Sequence, residues 1–239
     1  METIQHTHDE LWHTPRGKSI REVIFGMNDG LVTTIGFLAG VTSSLIHNRT
    51  VLLAGIAEVC AGAISMAIGA YLATKSQREF FQSEIARERW EIERMPEREK
   101  QEIRDLYGQM GFKPEEQAMI VNRVSSDKAL WLRFMMREEL GIFDENFDKP
   151  LSVALLMGCA FLLGSIPPLA PYLFLGDSRM ALIIAIILSV LFLFAAGIVK
   201  TRLTKTKPLR SAVEMTLLGI AASAVGLVVG HFASALIPR

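Results

Sequence analysis

Long apolar runs constrain this chain more than any other feature. Crossing a bilayer takes roughly 20 apolar residues. Four runs reach that length, at approximately residues 51–74, 151–175, 180–199 and 212–237. A fifth covers residues 20–46 and is apolar apart from Arg21, Glu22, Asn28 and Asp29. Core helices of soluble proteins rarely run this long without charge. The sequence therefore predicts an all-α, polytopic membrane protein with five transmembrane helices.

Charge is concentrated between the second and third runs. The 25 Lys and Arg balance the 25 Asp and Glu, which gives no argument for nucleic-acid binding. Residues 75–149 hold 14 of the basic and 17 of the acidic residues. We therefore divide the chain into four parts. They are a polar tail (1–19), transmembrane helices one and two (20–74), a helical insert (75–149) and transmembrane helices three to five (150–239).

Basic residues in the connections predict the orientation. Residues 200–210 contain five basic residues and no acidic one, and the first span is flanked by Arg16, Lys18 and Arg21. The positive-inside rule therefore places the N-terminus, the insert and residues 200–210 in the cytosol. No cleavable signal peptide is visible, because residues 1–19 are polar and the first apolar run is too long for one.

The insert is predicted to be helical. Span two continues without a helix breaker to Met95, so we expect it to project from the membrane. Pro96 suits the first turn of a new helix. The helices that follow are predicted over residues 96–110, 114–125 and 127–140, with turns marked by Gly108, Gly111, Pro114 and Gly141.

Glycines recur along the first two spans. Gly55, Gly62 and Gly69 are spaced by seven residues, and Gly36 and Gly40 form a GxxxG pair. Such patterns allow transmembrane helices to approach closely. We predict that these glycines serve helix packing.

Two carboxylates inside the apolar runs are the sharpest functional signal. Asp29 and Glu58 would each cost several kcal/mol in hydrocarbon, so such residues usually face a cavity, pair, or move ions and protons. At 1.5 Å per residue, Asp29 lies roughly 15 Å and Met66 roughly 12 Å from the cytosolic end, with Met27 at a similar depth and Glu58 deeper. Thioether sulfur added to carboxylate favours softer metals such as Fe²⁺ or Zn²⁺. The alternative is that these acids form structural hydrogen bonds and that the methionines only pack.

Acidic and thioether side chains also share helix faces in the insert. Glu88 and Glu91 are three residues apart on one helix, as are Glu99 and Glu102 on the next, and side chains three apart share a face. The last helix carries Met135, Met136 and Glu139 within one turn. Three helices with these residues would build a cage for divalent cations. The alternative is a solvated face with ordinary ion pairs to Arg87, Arg89, Arg94 and Arg98.

The remaining motifs argue against other functions. The N-terminal tail contains His6, His8, Asp9, Glu10 and His13, for which a disordered polar tail is favoured over a metal-collecting one. No HExxH, GxSxG or P-loop motif occurs, so the sequence gives no support for a common hydrolase or ATPase. We expect a protein that is not an enzyme and has no permanent cofactor.

Two motifs carry a resemblance to a known family. They are GMNDGLVTTIGFLAGV in span one and EVCAGAISMAIGAYLATKSQRE in span two. On these motifs the chain resembles the vacuolar iron transporter family, which includes the nodulin-21-like proteins. The resemblance extends through the Glu-rich insert, the MMREE stretch and the later spans. The resemblance implies a five-span homodimer with a cytosolic three-helix metal-binding domain. It also implies export of Fe²⁺, and often Mn²⁺, from the cytosol in exchange for protons, along a dimer-interface path lined by span one.

The resemblance also assigns residues. The intramembrane metal and proton residues would be Asp29, Glu58 and Met66, and the cytosolic metal site would comprise Glu88, Glu91, Glu99, Glu102, Met135, Met136 and Glu139. One departure is Ala70, where many relatives carry Glu, which weakens the expectation of an extra carboxylate there. Zn²⁺ is a further candidate ion. The membrane would be the inner cell membrane in a prokaryote and the vacuolar membrane in a eukaryote.

Two other functions fit the same residues. One is a manganese-preferring exporter with the same mechanism. The other is a membrane-anchored metal buffer or sensor that binds metal without transporting it.

Overall fold

The computed structural model describes residues 16–44, 47–142, 147–204 and 207–236. The His-bearing N-terminal tail lies outside the described residues. All regular secondary structure in the described part of the chain is helical. The helices are α1 (Arg16–Ser44), α2 (Asn48–Arg94), α3 (Pro96–Gln109), α4 (Pro114–Ser125), α5 (Lys128–Glu138), α6 (Pro150–Phe174), α7 (Ser178–Thr204) and α8 (Pro208–Leu236).

Five of these helices are long and apolar enough to cross a membrane, as predicted. The candidate spans are Ser19–Ser43, Asn48–Arg94, Pro150–Phe174, Ser178–Thr201 and Pro208–Val229. Large apolar side chains such as Leu53, Ile64 and Leu191 are more than half exposed on them. Helices satisfy their own backbone hydrogen bonds, so an apolar exterior of this kind suits lipid as solvent.

The described chain divides into two compact units. One, the membrane unit, is built from the chain up to Tyr71 and from Leu151 onwards, and the other, the insert unit, is Leu72–Pro150. Helix α2 is 47 residues long, about 70 Å at 1.5 Å per residue, and its N-terminal part belongs to the membrane unit. Its residues beyond Leu72 belong to the insert unit. The predicted continuation of span two is therefore present.

Helix α1 supplies the most deeply buried residues of the membrane unit. Leu31, Ile35 and Leu38 are fully buried, and Tyr172 of α6 and Leu193 of α7 complete the same core. An apolar stripe with this spacing is one face of a helix. Polar side chains on this face of α1, such as Thr34, are therefore shielded by protein.

Close backbone contact joins α1 and α6. A methyl group at Gly30 would collide with the carbonyl of Phe161, and one at Gly164 would collide with the carbonyl of Met27. Of the three predicted packing glycines of α2, Gly62 abuts the Phe161 ring, whereas Gly69 faces open space. Small residues at such crossings let helix backbones approach within van der Waals contact.

The insert unit has an apolar core of its own. Helices α2 to α5 contribute to it, and its buried members are Ile92, Ile103, Val121, Val124, Trp131 and Met135. Pro96 occupies the first turn of α3, as predicted. Gly111 and Gly141 adopt φ of +90° and +62° after α3 and α5, a conformation that favours glycine.

Candidate metal centres

Three carboxylates of the insert unit converge from three helices. Glu88 of α2, Glu99 of α3 and Glu139, which caps the C-terminus of α5, each offer a carboxylate oxygen, and these oxygens lie within 4.8 Å of one another. Glu88 and Glu99 are only 1% exposed, whereas Glu139 is exposed. The cluster therefore has a buried floor of two carboxyl groups and one side open to solvent.

The buried carboxyl groups lack conventional partners. Oε1 of Glu88 and both carboxylate oxygens of Glu99 have no hydrogen-bond partner among the residues that the structure describes, beyond the contact between the two carboxyl groups. An ionised carboxylate is costly to bury unpaired. The cost falls if Glu88 is protonated and its O–H donates a hydrogen bond to Glu99, or if a cation binds.

Burial raises the pKa values of the cluster. Desolvation, reinforced by repulsion from Glu139 and Glu99, raises the pKa of Glu88 to about 8. The apolar run of α2 ends near residue 74, so Glu88 lies beyond the membrane-spanning segment. Desolvation also raises the pKa of Glu99 and of Glu139. At neutral pH the cluster is thus partly protonated, and a divalent cation would displace protons to bind.

Glu91 and Glu102 lie near the carboxylate cluster of Glu88, Glu99 and Glu139. Both are partly buried, and each adds to the repulsion on the clustered carboxylates. Glu91 lies 3.8 Å from Nε of Arg87, and Glu102 lies 3.0 Å from Nε of Arg98. These two residues thus make the ion pairs expected of a solvated face, while the buried carboxyl groups of the cluster do not.

The two predicted thioether ligands of the insert unit occupy different surroundings. Met135 is 2% exposed and packs in the apolar core of the insert unit. Met136 lines a cavity of about 540 Å³ together with Tyr107 and Arg137. The side chain of Met135 is therefore accounted for by packing, and Met136 lies at a cavity wall.

A second pair of carboxylates lies in the membrane unit. Asp29 of α1 and Glu58 of α2 are both partly buried and close enough for their charges to repel. The hydroxyl of Thr34 donates to Oε2 of Glu58 at 3.1 Å, and its oxygen lies 3.0 Å from Oγ of Ser165. Like charges that interact in a low-dielectric interior are stabilised when a proton or a cation neutralises one of them.

The first two spans contain three further polar or thioether residues, Met66, Met27 and Glu22. Met66 is partly buried on α2. Met27, which the sequence placed at the depth of Asp29, lines a cavity of about 510 Å³ between α1 and α7, so its side chain packs among apolar residues. Glu22 is 8% exposed. It precedes Asp29 by seven residues, which puts both on one face of α1.

Sequence reasoning missed Glu22, Thr34 and Ser165 as candidates. The seven-residue spacing from Asp29 was the available signal for Glu22. Thr34 and Ser165 are small polar residues in apolar runs, where most hydroxyls bond to their own helix backbone. Only the packing of α1, α2 and α6 reveals their contact with Glu58.

The fold and the two sets of acidic residues define the class of this protein. It is a multi-pass membrane protein with buried or partly buried acidic residues in both the membrane unit and the insert unit. Residues 20–231 match the VIT family, and the chain belongs to that family. It is similar to vacuolar iron transporter 1 of Arabidopsis thaliana, with 37% identity over 93% of this chain and 89% of the relative. It is also similar to vacuolar iron transporter 1 of Eucalyptus grandis, with 37% identity over 89% of this chain and 85% of the relative. The vacuolar iron transporter of Plasmodium falciparum is 33% identical over 89% and 81% of the two chains.

Proposed function

We propose that this protein exports a divalent transition metal, Fe²⁺ and also Mn²⁺, from the cytosol by proton antiport. One observation carries the proposal: Asp29 and Glu58 are both partly buried within the membrane unit, near enough for their charges to interact. Intramembrane acids are costly and are characteristic of ion and proton pathways. The relatives named vacuolar iron transporter support iron as the cargo.

The chemistry of the side chains supports exchange between metal and protons. A divalent cation that binds carboxylates displaces the protons they hold. Release of the metal on the far side would return the same carboxylates to their protonated state. Asp29 and Glu58 would bind the metal and the protons in turn, and Met66 would add a thioether that favours Fe²⁺ over Mg²⁺ or Ca²⁺.

The insert unit would collect metal on the cytosolic side. Glu88, Glu99 and Glu139 supply oxygen ligands, with Glu91 and Glu102 adding negative charge around them. The cytosolic placement rests on the basic residues of the N-terminal flank and of residues 200–210. The proposal also includes the homodimer that the family resemblance implies.

Flux measurements on the full chain in proteoliposomes test this function. We expect Mn²⁺ or Fe²⁺ flux that accelerates when an opposing proton gradient is imposed. The isosteric changes Asp29→Asn and Glu58→Gln should each abolish it. Glu97→Gln is a matched control, because Glu97 is fully solvated on α3 and pairs only with neighbouring surface cations. Flux that ignores the gradient, or that survives both intramembrane changes, would overturn the proposal.

Competition between the two ions identifies the preferred cargo. If Mn²⁺ flux resists excess Fe²⁺, the protein is a manganese-preferring exporter. A metal buffer or sensor is the second candidate, and the buried cluster of the insert unit favours it, because that cluster can bind metal without any pathway. Metal binding that persists without flux would identify a buffer.

A further inference from the structure

We propose that Thr34 and Ser165 are positioning residues that hold the Glu58 carboxylate for the cargo ion. The inference rests on the proposed transport function. It starts from three side chains that belong to three helices. Oγ1 of Thr34 on α1 lies 3.1 Å from Oε2 of Glu58 on α2 and 3.0 Å from Oγ of Ser165 on α6.

The two hydroxyl groups are shielded from solvent. Thr34 is fully buried and Ser165 is 1% exposed. A buried hydroxyl is costly unless it is hydrogen-bonded, and a hydrogen bond to a charged group is stronger than one between neutral groups. The contact with Glu58 therefore accounts for a polar side chain at one of the most buried positions of α1.

The Thr34 hydroxyl bonds across helices, as the Thr42 hydroxyl does to Tyr172. Two hydroxyls of α8 bond to their own helix: Thr216 donates to the carbonyl of Ala212 at 2.8 Å, and Ser223 to that of Gly219 at 2.9 Å. Such bonding within the helix is the ordinary arrangement for Ser and Thr. Thr34 instead directs its hydroxyl to two other helices.

Ser165 is the second hydrogen-bond acceptor of Thr34. Its hydroxyl is 2.9 Å from the Phe161 carbonyl and 3.2 Å from the Gly30 carbonyl, and its single proton can go to either. In both cases the Ser165 oxygen remains an acceptor for Thr34. The close backbone contact of α1 and α6 at Gly30 leaves this serine little freedom to move.

One proton of Thr34 thus serves two acceptors, Oε2 of Glu58 and Oγ of Ser165. Thr34 engages one oxygen of Glu58, and we assign the other, Oε1, to the cargo ion. Ligand carboxylates that are oriented by an outer hydrogen bond bind metal more tightly, and losing such a partner typically lowers affinity by about 10- to 100-fold. Thr34 therefore sets metal affinity at Glu58 without contacting the metal.

The test compares Thr34→Val, which keeps the shape of the side chain and removes the hydroxyl, with Thr34→Ser, which keeps the hydroxyl. Mn²⁺ is the probe, and each variant is studied as the full chain. Binding is followed by the loss of the free Mn²⁺ electron paramagnetic resonance signal in detergent, and flux is followed in proteoliposomes. The matched control is Thr33→Val, because Thr33 is exposed on the same helix.

Glu58→Gln should remove one class of Mn²⁺ sites. We expect Thr34→Val to lower the Mn²⁺ affinity of that class by about tenfold. The half-saturating Mn²⁺ concentration for flux should rise by the same factor, while the maximal rate stays within about twofold. Ser165→Ala should show a smaller shift in the same direction, and its control is Ser152→Ala on the exposed start of α6. Thr34→Ser and Thr33→Val should resemble the wild type.

The outcomes separate this inference from the transport proposal. If the wild type transports Mn²⁺ and Thr34→Val matches it in binding and flux, the inference fails and the transporter stands. If Thr34→Val lowers thermal stability but leaves Mn²⁺ affinity unchanged, Thr34 only joins helices and the inference fails. If Thr34→Val weakens binding in a protein that shows no flux, the inference holds and the transport proposal fails.

Discussion

Glu88 of α2 and Glu99 of α3 bury their carboxyl groups against each other, with 1% of each residue exposed. This contact ties the stability of the insert unit to pH and to metal. Burial and repulsion raise the pKa of Glu88 from 4.5 to about 8 in the folded chain. The folded state therefore binds a proton that the unfolded chain releases at lower pH.

The first prediction concerns pH and stability without metal. A group whose folded pKa is raised contributes full stability below its unfolded pKa, and that contribution is lost as pH rises through the folded value. The melting temperature of the insert unit should thus fall between about pH 4.5 and pH 8. A change of 1 kcal/mol moves it by about 4–8 °C for a unit of this size, and fluorescence of the buried Trp131 reports it. Glu88→Gln should flatten the slope, whereas Glu97→Gln should preserve it; a slope unchanged by Glu88→Gln would contradict this account.

The second prediction concerns proton release on metal binding. Because the raised pKa of Glu88 keeps it largely protonated at neutral pH, Mn²⁺ should bind the insert unit more tightly as pH rises from 6 to 8, with release of protons. Calorimetric titrations in buffers of different ionisation enthalpy measure that release. Glu99→Gln removes a ligand and should weaken binding by at least about tenfold. Glu97→Gln, two residues away and solvated, should leave it unchanged; equal loss in both variants would exclude the cluster as the site.

The third prediction tests the crossing of α1 and α6. In Gly164→Ala the new methyl group would meet the Met27 carbonyl, which is backbone and has no freedom to rotate away. We expect misfolding, or a loss of roughly 1–3 kcal/mol from overpacking, measured as the monodisperse fraction in detergent and the melting temperature. Gly69→Ala is the control, because its methyl group would meet no atom within 4 Å, and alanine is the better helix former. Equal stability of the two variants would mean that the helices do not cross at Gly164.

The fourth prediction concerns the hydroxyl pair of Thr42 on α1 and Tyr172 on α6. The hydroxyl groups of Tyr172 and Thr42 lie 2.7 Å apart and are buried. Tyr172→Phe would leave Thr42 unpaired, which costs about 1–3 kcal/mol for a buried polar group. The double variant Tyr172→Phe with Thr42→Val should recover part of that loss, as judged by melting temperature. A double variant that is less stable than the single one would show that the two hydroxyls do not act as a pair.

Helix positions and the two acidic groups followed from the sequence. The apolar runs predicted the five candidate spans, because bilayer thickness sets the length of a span. The limits of the first, third and fourth agree closely, whereas the second helix continues to Arg94 and the fifth candidate span is Pro208–Val229. Pro96 and Gly141 marked helix ends, since each restricts the backbone locally. The spacing of Glu88 and Glu99 on predicted helices made them candidates, and the packing of the helices brings them together with Glu139.

Contacts between helices were not predictable from the sequence. Gly69 belongs to the same heptad pattern as Gly62, yet it faces open space while Gly62 meets an aromatic ring. Met135 and Met136 are adjacent in the chain, but one lies in the apolar core and the other lines a cavity. Periodicity along one helix shows which residues share a face, but not which neighbour that face meets.

The sequence by itself determined the five apolar spans, the charged helical insert and the presence of carboxylates in both, because segment length and hydrophobicity act locally along the chain. Only the tertiary structure decided that the Thr34 hydroxyl reaches Glu58 and Ser165, and that Glu88 and Glu99 are buried against each other. Those relationships join residues 24 to 131 positions apart in the first case and residues of separate helices in the second. They arise from helix packing, which brings distant residues within hydrogen-bond distance and removes water around them.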